Sequence, residues 1–234
     1  MHGVDQLSIL RETAQKRIEA SHALAGNPVG LKRYYRQWSD SYEMDLDRQN
    51  YCGPSIVAEL AGAVQAANFG RERTATKVLD AGCGTGLVGI QLHHLGFHLI
   101  DGFDLSEAMA EMARQTGVYR NVESEVDLNR PITVYPSASY DITVCCGVFT
   151  LGHVQPVGLR ELVRVTRPRG FVVASTCKSY TKATSFEHEM LSLKKAGVLR
   201  LVLCLKDSRF LDQEDAHYWV LRVLEYPDEA ASMI

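Results

Sequence analysis

The 234-residue sequence is short of several things, and each absence narrows the field. No apolar run approaches the roughly 18 uninterrupted residues that a membrane helix needs, so no membrane partner is expected. The opening stretch MHGVDQLSILRETAQKRIEA has no apolar core of a secretion signal, and the cytoplasm is the expected compartment. Positive charge is not in excess: 25 Lys and Arg stand against 28 Asp and Glu, a formal net charge of -3. Binding to a polyanion is driven by Lys and Arg neutralising phosphates, so nucleic acid is not an expected partner. Six cysteines (Cys52, Cys83, Cys145, Cys146, Cys177, Cys204) form no C-x-x-C pair, which indicates neither a metal site nor a disulfide framework. Internal repeats are absent as well.

What is present is an ordered alternation of elements. Val4, Leu7, Leu10, Ala14 and Ile18 recur at helical spacing, and Gly26-Asn27-Pro28 supplies a stop. A second helical stretch, LKRYYRQWSDSYEMDL, puts Tyr34, Trp38 and Tyr42 on one face at i, i+4 and i+8. A third, Ala-rich, runs from Pro54 to about Phe69. From Thr76 onward, short strand-like runs alternate with helical ones: KVLDAG, 86–95, HLIDGFD, 106–116, a weak strand near VESEVD, YDITVCCGVF, 157–166, GFVVAST and 184–196. LRLVLCLK and AHYWVLRVLE follow with no room for a crossover helix between them, so they should pair antiparallel. The pattern predicts an α/β fold: a doubly wound, mostly parallel sheet with an antiparallel C-terminal strand, plus an N-terminal helical cap. The organisation expected is a helical extension and lid over 1–70 and an α/β domain over 71–234. The tail PDEAASMI reads as a frayed polar end.

The stretch LDAGCGTGLVG, residues 79–89, can be read in two registers. From Gly84 it spells G-x-G-x-x-G, a dinucleotide-binding pattern; from Asp80 it spells D-x-G-x-G-x-G. Either register puts glycines between a strand and a helix, with backbone N–H groups facing a ligand. Asp104, about 20 residues on, suits a ribose in both. The strand ends at Asp80 or Ala81, which favours Gly82 as the first tight-turn glycine. A carboxylate at Asp80 repels a pyrophosphate and suits an ammonium group. An obvious Tyr-x-x-x-Lys hydride-transfer constellation is also missing, which counts against a nicotinamide oxidoreductase.

With Asp80, Gly82, Gly84 and Gly86 as first motif, FDLS at 103–106, VDL at 126–128, YDITVCCGVF, and ELVRVTRPRGFVVAST, the chain resembles the class I S-adenosylmethionine-dependent methyltransferases over roughly residues 30–225. Arg169 stands where the family's L-x-P-G-G turn has a glycine. More narrowly, YYRQWSDSYEMDL, YCGPSIVAEL, GVYRNVE and VFTLGHVQP are similar to the methyltransferase-like group of the Williams–Beuren region and its bacterial relatives. The resemblance implies a Rossmann-like fold and S-adenosyl-L-methionine as cofactor. It implies cofactor contacts from Asp80, Gly82, Cys83, Gly84 and Gly86; from Asp104 and Leu105; from Asp127 and Leu128; and from Cys146 and Gly147. The aromatic face Tyr34, Trp38, Tyr42 is expected to close over the methyl end as a lid, with Tyr51 facing the same choice between lid and packing. His153 is the candidate general base. Tyr180, His188 and His217 are weaker candidates for the acceptor pocket, and His93-His94 read as surface residues. The reaction implied is in-line methyl transfer to a small-molecule acceptor by a monomer or homodimer. An adenosyl-binding protein without methylating activity is the alternative.

Overall fold

The computed structural model describes residues 2–225, with side chains from Ser8 onward. The helical face expected at Val4 and Leu7, and the tail PDEAASMI, lie outside the described side chains and residues. A seven-stranded sheet runs in the order β3-β2-β1-β4-β5-β7-β6. Its strands are β1 (Lys77–Ala81), β2 (Leu99–Phe103), β3 (Asn121–Glu123), β4 (Tyr140–Phe149), β5 (Thr166–Cys177), β6 (Leu199–Leu211) and β7 (Glu214–Val223). β1 through β5 are parallel to one another, whereas β7 is antiparallel to both β5 and β6. The expected hairpin forms, and its second strand lies between β5 and β6. That explains its composition: Tyr218, Trp219, Val220 and Leu221 are at most 2% exposed, while Val202 and Leu203 of the rim strand β6 are 47% and 41% exposed.

Eight helices are described: α1 (His2–His22), α2 (Pro28–Arg48), α3 (Gly53–Asn68), α4 (Leu87–His94), α5 (Glu107–Gln115), α6 (Gly158–Val165), α7 (Lys178–Ala183) and α8 (Phe186–Lys195). No described helix is long and apolar enough to cross a membrane. α7 was not expected, because KSYTKA carries no apolar periodicity; it is one short turn-rich segment anchored by the buried Tyr180. α2 starts cleanly because Asn27 caps the N–H groups of Val29 and Gly30 and Pro28 occupies its first turn.

α3 buries Val57, Ala58 and Ala61 completely in the main core with β1, β4 and β5. Burying a Val side chain of this kind contributes roughly 1.5–3 kcal/mol, so α3 belongs to the body of the domain. α1 and α2 form a cap that packs apart from that core. The cap has its own small core of Ile18, Trp38 and Leu46. Beside it, the buried carboxylate of Asp45 accepts hydrogen bonds from Trp38 Nε1 at 2.8 Å and from Arg17 and Arg48. Burial works against its charge, but the bonds from Trp38 and Arg17 prevail and hold its pKa below the ordinary carboxylate value.

Candidate functional site

The cap closes over the C-terminal ends of β1, β2 and β4, the side where ligands bind in doubly wound sheets. Between the two lies a cavity of about 740 Å³, mouth included. Its sheet side is built from backbone. Gly82, Gly84 and Gly86 all adopt positive φ (71°, 56° and 99°), which lets the chain leave β1, turn sharply and enter α4. A Cβ at Gly84 would meet no protein atom within 4 Å, so this glycine leaves space open on the cavity side. Gly82 and Gly84 line the cavity, whereas Cys83 and Gly86 do not. Cys83 packs with Ala110, Ala113 and Val122 against α5, and Gly86 abuts Thr116 and Tyr119; both shape the loop from outside.

Asp104 ends β2 and lines the cavity. Its carboxylate accepts the Gly84 N–H at 2.9 Å and the Ser106 N–H at 2.8 Å, tying the glycine loop to the second strand. Burial nevertheless pushes its pKa up to about 6. Leu105, Asp127, Leu128, Cys146 and Gly147 line the same cavity, as the sequence led one to expect. Asp127 accepts the Asn129 N–H at 2.9 Å and has its second oxygen 3.8 Å from Arg130. Gly147 donates its N–H to Ser175 Oγ at 3.0 Å. Cys146 and Tyr51 share a hydrogen bond of 3.3 Å, and burial pushes the Cys146 thiol up to about 12, so it stays protonated and is no nucleophile.

Asp80 departs from expectation. Its side chain is fully buried beneath the loop and is absent from the cavity lining, so the ammonium contact expected of it is not formed by its present position. One oxygen accepts the Tyr119 hydroxyl at 2.7 Å, and the other has no hydrogen-bond partner among the described residues. Burial raises its pKa to about 7, the bond from Tyr119 opposing that rise. The same tyrosine resolves the register question. A Cβ on Gly89 would fall on the Tyr119 ring, and the Gly89 N–H donates to the Tyr119 hydroxyl at 3.2 Å. Gly89 is a glycine to admit this ring, one turn into α4 and away from the cavity. The G-x-G-x-x-G match is therefore a by-product of packing.

The lid side is built from side chains, and here the expected face is rotated. Tyr35 and Tyr42 line the cavity; Tyr34 and Trp38 do not. Tyr34 donates to the Arg17 carbonyl at 2.7 Å, and Trp38 is held by Asp45 inside the cap. The face that meets the cavity is i, i+7, two full turns of α2, because α1 claims Tyr34. Lys32, Leu31, Asn129, Met109, Phe103 and Val154 also line the cavity and were missed, although Phe103 and Val154 fall within FDLS and VFTLGHVQP.

His153 lines the cavity, but not as a free base. Its Nδ1 lies 2.8 Å from the Leu151 carbonyl, which can only accept, so Nδ1 carries the proton. Its Nε2 then accepts the Tyr35 hydroxyl at 2.8 Å. Burial lowers its pKa to about 4. The general-base role expected of His153 is thus replaced by docking of the lid. Further polar contacts pin the cap: Gly26 N–H to the Gly152 carbonyl at 2.6 Å, Lys32 to Glu125 at 2.9 Å, and His22 Nε2 with Thr150 Oγ1 at 3.0 Å.

A second cavity of about 910 Å³ lies on the other side of Tyr35, Tyr42 and Gly147, which wall both. Trp38 and Tyr51 line it, together with His22, Cys177, Phe210 and Glu214. The residues expected around an acceptor are elsewhere. Tyr180 donates to the Val154 carbonyl inside the core, His217 accepts the Asp207 N–H on β7, and His188 lines neither cavity. His93 and His94 line neither; His93 is half-buried against His98 rather than fully on the surface.

Comparison with known proteins agrees with this geometry. Residues 78–170 match the methyltransferase domain family. The chain is 29% identical over 160 residues to methyltransferase-like protein 27 of Homo sapiens, covering 68% of this chain and 62% of that one. It is 33% identical over 138 residues to a malonyl-[acyl-carrier protein] O-methyltransferase of Erwinia pyrifoliae, covering 58% of this chain and 47% of that one. The match thus spans between about half and three fifths of these relatives' lengths. Among solved structures it superposes on magnesium protoporphyrin IX methyltransferase of Synechocystis PCC 6803 with bound S-adenosylhomocysteine (TM-score 0.59, 15% identity, 84% of this chain and 99% of that one). It also superposes on a TehB-like methyltransferase of Corynebacterium glutamicum (TM-score 0.55, 20% identity, 84% of this chain and 100% of that one).

Proposed function

Because the chain carries a class I methyltransferase domain whose cofactor is S-adenosylmethionine, we propose that it transfers a methyl group to a small-molecule acceptor held in the second cavity. The observation that carries this reading is the shared wall: Tyr35, Tyr42 and Gly147 separate a cavity fitted to an adenosyl group from an aromatic cavity fitted to something else.

The residues present suit the cofactor. Gly84 leaves the space that a side chain would fill, Asp104 offers carboxylate lone pairs toward ribose hydroxyls, and Leu105 and Leu128 offer apolar surface for an adenine with Asp127 beside them. When bound, the cofactor supplies a methyl group already activated by its sulfonium. The protein's part is then chiefly orientation: the glycine loop and Asp104 fix one end, while Tyr35 and Tyr42 exclude water from the other. Neither the Cys146 thiol nor His153 is placed to take a proton, which favours an acceptor atom that needs no base.

Calorimetric titration with S-adenosylhomocysteine and with NADH tests the reading. Homocysteine-form binding is expected, weakened by roughly 1–3 kcal/mol in Asp104→Ala. Binding of NADH alone would sink it, and tight S-adenosylhomocysteine binding with no turnover over a broad acceptor panel would favour an adenosyl-binding protein that does not methylate.

A further inference from the structure

The charges around the second cavity narrow the acceptor class, on the methyl-transfer reading above. Its apolar walls combine aromatic rings with Ile18, Leu46, Leu151 and Leu211. Trp38 meets Tyr42 edge-on with ring centroids 4.9 Å apart, and Tyr51 meets Phe210 edge-on at 5.0 Å. Walls of this kind receive a flat ring, and their negative ring faces receive a cation.

The ionisable part of the lining is acidic. Glu19 of α1 and Glu214 at the start of β7 come from opposite ends of the chain, and both lie close enough to His22 to act on its charge. Burial outweighs them and lowers the His22 pKa, so that imidazole adds no positive charge of its own. No Lys or Arg lines the cavity. The cations on the neighbouring elements form their ion pairs with other carboxylates, Lys16 with Glu12, Arg17 with Asp45 and Lys178 with Asp207, while Lys16 and Lys178 act on Glu19 and Glu214 only at longer range. Glu214 itself accepts only the Ser179 N–H at 2.8 Å, and Glu19 only the Gln15 amide at 2.9 Å, among the described hydrogen bonds. Two carboxylates that form no ion pair among the described residues, beside a largely aromatic cavity with no lining cation, repel an anion and attract an ammonium.

We propose that the second cavity selects an amine acceptor, a flat ring bearing a primary or secondary amino group, and rejects acceptors that carry a carboxylate or phosphate. The ammonium form is drawn in by Glu19 and Glu214 and gives its proton to water. The neutral nitrogen's lone pair then forms the new C–N bond while the C–S bond of the methyl donor breaks, its electron pair staying on sulfur. The resulting methylammonium releases its product with the positive charge gained by nitrogen and lost by sulfur. Such an acceptor needs no side-chain base strong enough to ionise a hydroxyl, in keeping with His153 being engaged by Tyr35.

The test is titration of the full chain with matched ring pairs, tryptamine against indole-3-acetate and 2-naphthylmethylamine against 2-naphthoate, each with and without S-adenosylhomocysteine. The amine of each pair is expected to bind about tenfold tighter, a difference that one or two carboxylates beside the ligand supply. Glu19→Gln combined with Glu214→Gln should erase most of that preference and leave S-adenosylhomocysteine binding unchanged. Acid binding as tight as amine binding, or no binding of any member by the wild type, overturns the proposal. Amine preference without any S-adenosylhomocysteine binding would instead overturn the methyl-transfer reading and leave the selectivity standing.

Discussion

The two sides of the cofactor cavity are made in different ways. On the sheet side, the shape comes from backbone: three glycines at positive φ, an aspartate satisfied by loop N–H groups, and a buried Tyr119–Asp80 pair beneath. On the lid side it comes from side chains of a helix that has its own core and docks on the domain through polar contacts, Tyr35 to His153, Lys32 to Glu125, Gly26 to Gly152 and His22 to Thr150, and through packing on Leu87 and Leu211. A backbone-built wall is fixed once its strand and helix form. A side-chain-built wall exists only while its docking contacts hold, so the lid is the half expected to open for exchange of ligand.

The sharpest way to break the sheet side is Gly89→Ala. The new Cβ displaces the Tyr119 ring and with it the donor to a buried carboxylate, for an expected loss of about 2–4 kcal/mol in urea unfolding. In a Tyr119→Ala background the same substitution should cost under about 1 kcal/mol, since the clash is gone. Additive losses would show that Gly89 matters for some other reason.

The two sides should also respond oppositely to pH. Asp80 titrates near 7 when folded, against about 4 when unfolded, so the folded state holds the extra proton between those values and this group's contribution to stability falls as pH rises. His153 titrates near 4 when folded, against about 6.5 unfolded; its contribution is complete above about 6.5 and is lost as pH falls toward 4. Unfolding measured from pH 4.5 to 8 should therefore show Asp80→Asn gaining on the order of 2 kcal/mol on the wild type at the alkaline end. His153→Gln should lose least at the acid end and most at the alkaline end. A common direction for both variants would end the contrast.

Tyr35→Phe probes the lid more gently. It removes one hydrogen bond and leaves His153 Nε2 without its donor, an expected cost of about 1 kcal/mol in global stability. The larger effect should be faster dissociation of S-adenosylhomocysteine, read by stopped-flow fluorescence. An unchanged rate would mean that Tyr35 does not control exit.

How much of this was legible in the sequence follows the same division. Glycines, the aspartates at strand ends and the alternation of apolar runs report backbone needs directly, so the sheet, its hairpin and the lining residues Gly82, Gly84, Asp104 and Asp127 could be read off. The lid could be recognised as an aromatic helix, but which tyrosines face the cavity depends on α1 drawing Tyr34 to the Arg17 carbonyl, a contact between segments that no local pattern encodes. Asp80 misled for a related reason: motif position gives its place on β1, not the direction its carboxylate takes once Tyr119 arrives from 39 residues away. His153 was found as a residue and misassigned as a base because Tyr35 was not known to reach it.

The smallest expected effect lies outside both sides and serves as a reference. Arg169 holds φ at 66°, a left-handed conformation that costs a non-glycine residue about 1–2 kcal/mol, and its bond to Glu225 is exposed. Arg169→Gly should stabilise the protein by about 0.5–1 kcal/mol, after glycine's own entropy is counted, without altering the pH contrast between the two sides.

The insertion of β7 between β5 and β6 carries a consequence for the order of assembly. As the chain grows, β5 presents an open, apolar edge and β6 has no partner until residues 214–223 emerge, because both strands pair only with β7 at that end of the sheet. Tyr218 and Trp219, among the largest fully buried side chains, arrive with it. Residues through β7 must therefore be made before this core can close, and in that interval the β5 edge is open to pairing with another molecule.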